Sequence, residues 1–397
     1  MPKKILIITP ACHFKNAGAA QRDIYASIAI FQKMNYKVAL YTIGSRAQDL
    51  LVLKSVASDY GIDLRTFLPL KNNWRRFKRV LLEPSLLDGA AYVFDQLCRD
   101  NVFLKYLRSY HPDFIFSFCS YSWPVLKCAR QNGIKSVFRS HNFESSFFWE
   151  SLNLNQKLNP LNWLRVLCKY RGEYLAIKNA DKVGALPFEQ VNIYKKWKAS
   201  GVEILTLLFL PESLRQPNIH SNKECLDLFY LGASYNVIFH RRGAERLIGE
   251  IAPRVLARSP GKFKFHICGS KLPTDLAQRC RNGLIYEGYV PDLESFMQNM
   301  DAGVFPVMSG KTMKGKVFET LARAFPMVIP SNCLGGYDLR DGKEVLLADT
   351  AESFTEKILR LADVKVRTEL SNNACNFAQK EFSEEKIVSV LSKLLSE

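Results

Sequence analysis

Two successive series of short apolar runs, separated by stretches of helical periodicity, constrain the fold of this 397-residue chain more than any other feature. Such runs read as buried strands, and the stretches between them supply the long crossovers that parallel strands require. In the first half the strand candidates are 4–9, 37–42, 114–118 and 136–140. Over 21–34, Ile24, Ile28, Phe31 and Met34 recur at helical spacing. The second half restarts the pattern with 227–231 ending at Gly232, 262–268 ending at Gly269, then 284–287, 303–306 and 327–330. Helices are expected over 243–256 and 317–324. The stretch 211–222 has two prolines and little apolar content, and reads as a linker. The expectation is an α/β chain with two Rossmann-like parallel-sheet domains, 1–210 and 223–382, facing a central cleft.

Charge divides along the same line. The formal net charge is +17, but residues 1–200 hold 30 basic and 14 acidic side chains, against 25 and 24 in residues 201–397. At 47% hydrophobic and 23% charged residues the chain is of ordinary globular composition, which excludes collagen-like, coiled-coil and wholly disordered classes. No apolar run reaches the ~18 residues that a transmembrane helix needs. The basic-then-apolar start, with its run Ile5 to Ile8, reads as a first strand rather than a secretory signal. Ten cysteines without a Cys-x-x-Cys pair and six scattered histidines argue against a zinc site. Dispersed thiols suit a reducing compartment, so a cytoplasmic location is expected.

Four places can carry chemistry. The first βα loop holds Asn16, Ala17, Gly18, Ala19 and Ala20 before a helix, where small residues admit a ligand to the backbone and the helix N-terminus favours an anion. A tight turn without ligand is the alternative. His141 follows the 136–140 strand at its carboxyl end, placed to donate a hydrogen bond or shuttle a proton, or to serve only the structure. Arg241 and Arg242, just before an expected helix start at Gly243, can grip a diphosphate bidentately, or form a solvated surface pair. The segment 305–319 runs from a strand end through a polar loop with Gly310 and Lys311 to a helix starting near Gly315. Lys316 and Glu319, three apart, share a face of that helix. A cation and a carboxylate so placed can hold a phosphate and a sugar diol; an ordinary helical ion pair is the alternative.

An ordered series of segments in the second half resembles the retaining nucleotide-sugar glycosyltransferases of family four, which have the GT-B fold. The series comprises Phe229-Tyr230-Leu231-Gly232, Ile251-Ala252-Pro253, Phe265-His266-Ile267-Cys268-Gly269, Glu287-Gly288-Tyr289-Val290, the 316–328 stretch, Gly335-Gly336, Asp341-Gly342 and Phe382-Ser383. The resemblance implies that Val290 lies beside the nucleotide base and that Glu319 binds ribose hydroxyls. It places Gly18 and Gly232 at the donor, His141 near the reacting carbon of the sugar, and Arg242 and Lys316 on the diphosphate with Arg241 in reserve. It also implies that a C-terminal helix, 383–397, crosses back to the first domain. Two departures stand out: Lys311 occupies the position where the family often has a glutamate, and Ala233 follows Gly232 where the family tends to place an arginine.

The function so implied is retaining transfer of a sugar from a UDP- or GDP-linked donor to a glycan or lipid-linked acceptor, in cell-surface polysaccharide or glycolipid biosynthesis. No Asp-x-Asp occurs, so no metal and no other cofactor is expected, and fixed cations neutralise the leaving diphosphate. The alternatives are a nucleotide-sugar epimerase of related fold and a non-catalytic glycan- or membrane-binding protein. The first half gathers cations beside aromatics at 73–82, 163–171 and 194–198. That pairing favours an anionic membrane surface, on the inner face of the cytoplasmic membrane, over nucleic acid, for which no motif is present; a solvated surface tuned for solubility is the other alternative.

Overall fold

In a computed structural model the described residues are 2–10, 19–44, 47–70 (backbone alone for 47–53), 73–186, 191–198, 201–220, 223–307 and 314–396. They form two compact units, Met1–Phe209 with Ile387–Glu397, and Leu210–Lys386.

The first unit is built on seven strands: β1 (Lys4–Thr9), β2 (Lys37–Ile43), β3 (Asp63–Phe67), β4 (Phe114–Phe118), β5 (Lys135–Ser140), β6 (Lys182–Ala185) and β7 (Val202–Ile204), in the order β3-β2-β1-β4-β5-β6-β7. Every pairing is parallel, with Leu6 of β1 opposite Ala39 and Ile115. The central strands are apolar on both faces because helices cover both faces, so their sequences read as continuous runs. β3, β6 and β7 escape the sequence reading. β3 and β7 are edge strands of mixed polarity, and β6 is only four residues long.

The second unit is a six-stranded parallel sheet of β8 (Leu226–Ser234), β9 (Phe263–Ser270), β10 (Leu284–Gly288), β11 (Ala302–Val304), β12 (Met327–Ile329) and β13 (Leu346–Leu347), in the order β10-β9-β8-β11-β12-β13. After β8 the chain turns through Asn236 and enters a helix at Ile238, five residues before the expected start at Gly243. Gly243 is an interior position of that helix: a Cβ there would stand 2.4 Å from the Tyr230 hydroxyl, which donates to the His240 carbonyl at 3.1 Å. Its glycine answers a close approach of strand and helix rather than a helix start. The same helical run continues through a π-helical turn, Leu247–Ile251, into Ala252–Arg258. The wider turn accommodates Pro253, which has no N–H to give.

Candidate functional site

At the carboxyl end of β5 the structure builds a buried charged cluster. Asp23, on the helix Ala19–Lys33, is fully buried and accepts from Arg139 Nε at 3.0 Å and from the Leu208 amide. Its Oδ2 is also 2.7 Å from Nε2 of His141. Arg139, equally buried, donates its other nitrogens to the carbonyls of Leu205 and Thr206 at 2.6 and 2.7 Å. Burial alone would raise the Asp23 carboxyl, but Arg139, His141 and the Leu208 amide outweigh it and hold the group below its usual range. Burial also lowers the His141 imidazole, against the pull of Asp23. A neutral His141 that donates from Nε2 to Asp23 carries its lone pair on Nδ1, and that atom is buried without a protein partner. The pattern of the sequence shows nothing of Asp23: it is one acid in an amphipathic helix, and its partners are 116 and 118 residues away.

A second cluster pins the residues that follow. Glu173 accepts from the Glu144 amide at 2.8 Å, the Ser145 hydroxyl at 3.1 Å and the Tyr194 hydroxyl at 3.0 Å, and so caps the helix Glu144–Ser151 from outside. Tyr194 and Ser140 share a hydrogen bond at 3.0 Å. Burial and the nearby Glu144 push Glu173 from 4.5 up to about 8. Between those values the folded protein holds a proton that the unfolded chain has released. Stability of the first unit therefore falls as pH rises through this window, by up to ~1.4 kcal/mol per pH unit. Urea unfolding between pH 5 and 8 should show this slope in the wild type and a flatter profile in Glu173→Gln. Equal slopes would rule out Glu173 as its source.

In the second unit the helix Gly315–Ala322 starts after the extended Lys314, and its first turn carries Lys316. Lys316 Nζ is 3.8 Å from Glu319, whose buried carboxylate is held by Arg323 at 3.0 Å. Arg323 in turn reaches Glu294 at 2.5 Å. Sequence reasoning missed Arg323, although its spacing of four from Glu319 is a signal for a helical pair. It missed His240 as well, whose Nδ1 is 3.2 Å from the Ser234 carbonyl. Burial, assisted by the charges of Lys316 and Lys314, lowers the His240 pKa. Lys314 Nζ also stands 5.9 Å over the ring of Phe239, the neighbour of His240, so the first turn of the helix Ile238–Arg246 and the start of Gly315–Ala322 lie together beside the carboxyl end of β8.

The remaining expected residues are distributed as follows. Arg241 and Arg242 do not precede their helix; they are its fourth and fifth residues, because the chain enters the helix at Ile238. The first-turn amides stand ahead of them, Arg241 donates back to the Tyr235 carbonyl at 3.0 Å, and Arg242 is exposed. Gly232 has a packing role: a Cβ there would stand 2.6 Å from the Tyr235 hydroxyl, which donates to the Cys268 carbonyl. Val290 is half-buried just beyond β10. Gly18, Gly310 and Lys311 lie outside the described residues.

Solved structures share this architecture across nearly the whole chain. Anabaena HepE in complex with UDP is 14% identical, with 99% of each chain covered and a TM-score of 0.68; the same protein has been solved with UDP-glucose. A mutant of S. aureus TarM in complex with fondaparinux, α-GlcNAc-glycerol and UDP is 12% identical, with 100% of each chain covered and a TM-score of 0.65. WaaG, a glycosyltransferase involved in lipopolysaccharide biosynthesis, is 13% identical over 99% of this chain and 98% of its own, with a TM-score of 0.60. Among curated proteins none matches in sequence. Residues 226–363 match the family model described as glycosyl transferases group 1. This chain therefore has the GT-B fold of two parallel-sheet units, and its second unit carries a glycosyl transferases group 1 domain.

Proposed function

We propose that the protein is a retaining glycosyltransferase that moves a sugar from a UDP- or GDP-linked donor to a glycan or lipid-linked acceptor at the inner face of the cytoplasmic membrane, without a metal. The observation that carries this reading is the group 1 match over 226–363, which spans the Lys314, Lys316 and His240 cluster. The UDP and UDP-glucose bound by HepE, and the UDP and α-GlcNAc-glycerol bound by TarM, support a uridine nucleotide and a glycan-type acceptor.

In this reading the bond between the sugar's anomeric carbon and the diphosphate oxygen breaks, and its electron pair leaves with the diphosphate. Lys316, Arg242 and the first-turn amides of Gly315–Ala322 stabilise the developing charge. Glu319, fixed by Arg323, receives the ribose hydroxyls. The acceptor oxygen attacks the anomeric carbon on the face the diphosphate leaves, and its proton passes to the departing phosphate oxygen. His141, fixed by Asp23, contacts the sugar beside the reacting carbon.

A thermal-shift panel of UDP, GDP, ADP and their sugars, followed by acceptor-dependent nucleotide release, tests the proposal. A ligand at about 100 times its Kd adds ~2.7 kcal/mol of stability, a readable shift. Stabilisation by a uridine or guanosine nucleotide, with release only when acceptor is present, is expected. Release without acceptor, or no shift with any nucleotide, overturns the reading.

A further inference from the structure

The helix Asn73–Leu82 is amphipathic in the wrong sense for a helix packed on a core: it buries none of its residues. Two of its three arginines, Arg76 and Arg79, bond to the protein. Arg76 donates to the Leu87 carbonyl at 3.0 Å, and Arg79 makes a two-pronged pair with Asp95 at 2.8 and 2.9 Å. Its apolar side chains face out, with Trp74 65%, Phe77 55% and Leu81 67% exposed and the two rings stacked at 6.1 Å. A soluble helix places these groups the other way round.

A second stretch, from Leu154 through the helix Pro160–Asn179, repeats the inversion. Leu158, Leu161, Trp163 and Leu167 are each more than half exposed. The two stretches are neighbours in the first unit. Arg171 pairs with Glu83, which follows the first helix, at 2.6 Å, and Cys168 donates to the Pro84 carbonyl at 3.3 Å. Of the 19 large apolar side chains exposed among the described residues, 15 lie within 68–87 and 154–174. Clustering of this kind marks a surface that is covered by something. Charge selects the cover: residues 68–87 and 154–174 contain nine lysines and arginines against two acids, Glu83, which pairs with Arg171, and Glu173, which is buried. The third cationic stretch the sequence offers, 194–198, adjoins the second of these but turns its own rings inward. Tyr194 is buried, and Trp197 packs its ring against Phe143, Tyr170 and Tyr174.

We infer that these two stretches form one docking face for an anionic lipid bilayer, with Trp74, Phe77, Leu81, Leu161, Trp163 and Leu167 entering the interface and the flanking cations meeting lipid phosphates. The inference deepens the acceptor-side part of the proposed function and rests on it only for its purpose, since nucleotide binding belongs to the other unit.

The full chain is sedimented with phosphatidylcholine vesicles, with and without phosphatidylglycerol, at low and high salt. Binding that requires phosphatidylglycerol and weakens in salt is expected. The triple variant Trp74→Ser, Phe77→Ser, Leu81→Ser and the triple variant Leu161→Ser, Leu164→Ser, Leu167→Ser should each lower the partition about tenfold or more. The control Lys264→Gln, Lys365→Gln, which removes two exposed cations of the other unit, should change it less than about twofold. All variants should keep the wild-type melting temperature and nucleotide shift, which separates docking from folding and from donor binding. Wild-type partition in both triple variants, binding indifferent to lipid charge, or self-association that the triple variants dissolve would overturn the inference. Vesicle binding without any nucleotide shift would overturn the proposed function and leave the docking face standing.

Discussion

Asp23→Asn should cost the first unit about 3–5 kcal/mol, because it leaves Arg139 as a buried charge without a counter-ion. Arg139 and Asp23 have no solvent-exposed side-chain surface, so no water compensates the loss. The two carbonyls that Arg139 also reaches supply only partial charge. His141→Ala removes a hydrogen bond to a charged group but keeps the ion pair, and should cost only ~1.5–3 kcal/mol. A chain of two units need not unfold in one step, so hydrogen exchange at β1 and β5 is the appropriate readout. A cost for Asp23→Asn below that of His141→Ala would refute the assignment of Asp23 as the centre of the cluster. pH supplies a second check. The folded pKa of Asp23 is depressed, so its contribution is present above the unfolded carboxyl value and is lost as pH falls through the folded one. Acid should therefore loosen this cluster, and the Asn variant should lack that acid-sensitive component.

If the proposed function holds, Lys316→Ala should lower kcat of acceptor-dependent nucleotide release by about 10²–10³, the usual effect of removing one preorganised group that meets developing negative charge. The side chain is more than a third exposed, and the Glu319–Arg323 pair does not depend on it, so the melting temperature should hardly move. Lys316→Arg should retain part of the rate, since it keeps the charge but not the shape. A readout independent of turnover is available in His240, whose pKa Lys316 helps to depress. In Lys316→Ala the His240 titration followed by NMR should move upward. A variant with full activity and an unmoved His240 would remove Lys316 from the site.

Much of the fold was legible because burial writes itself into sequence. β1 and β4 span the very residues their apolar runs suggest, since a strand covered on both faces needs apolar side chains at every position. The helix at Gly315 was legible as well, from a strand end, a polar loop and the spacing of Lys316 and Glu319. The start of the helix after β8 was not. Gly243 looks like a boundary along the chain, yet its cause is the Tyr230 hydroxyl, thirteen residues back and on another element.

The sequence by itself determined two parallel α/β sheets, the candidates His141, Lys316 and Glu319, and a first half rich in cations. These depend on local composition and on periods of two or 3.6 residues, which a chain displays before it folds. Only the tertiary structure decided which charges neutralise one another and which apolar faces stay uncovered. Asp23 acquires its meaning from Arg139 and His141, more than a hundred residues away. The Asn73–Leu82 helix has the same amphipathic pattern whichever side packs inward, and the contacts of Arg76 and Arg79 turn its apolar side to the solvent. Both outcomes are long-range pairings, and a pairing of distant side chains leaves no periodic trace in the chain that carries them.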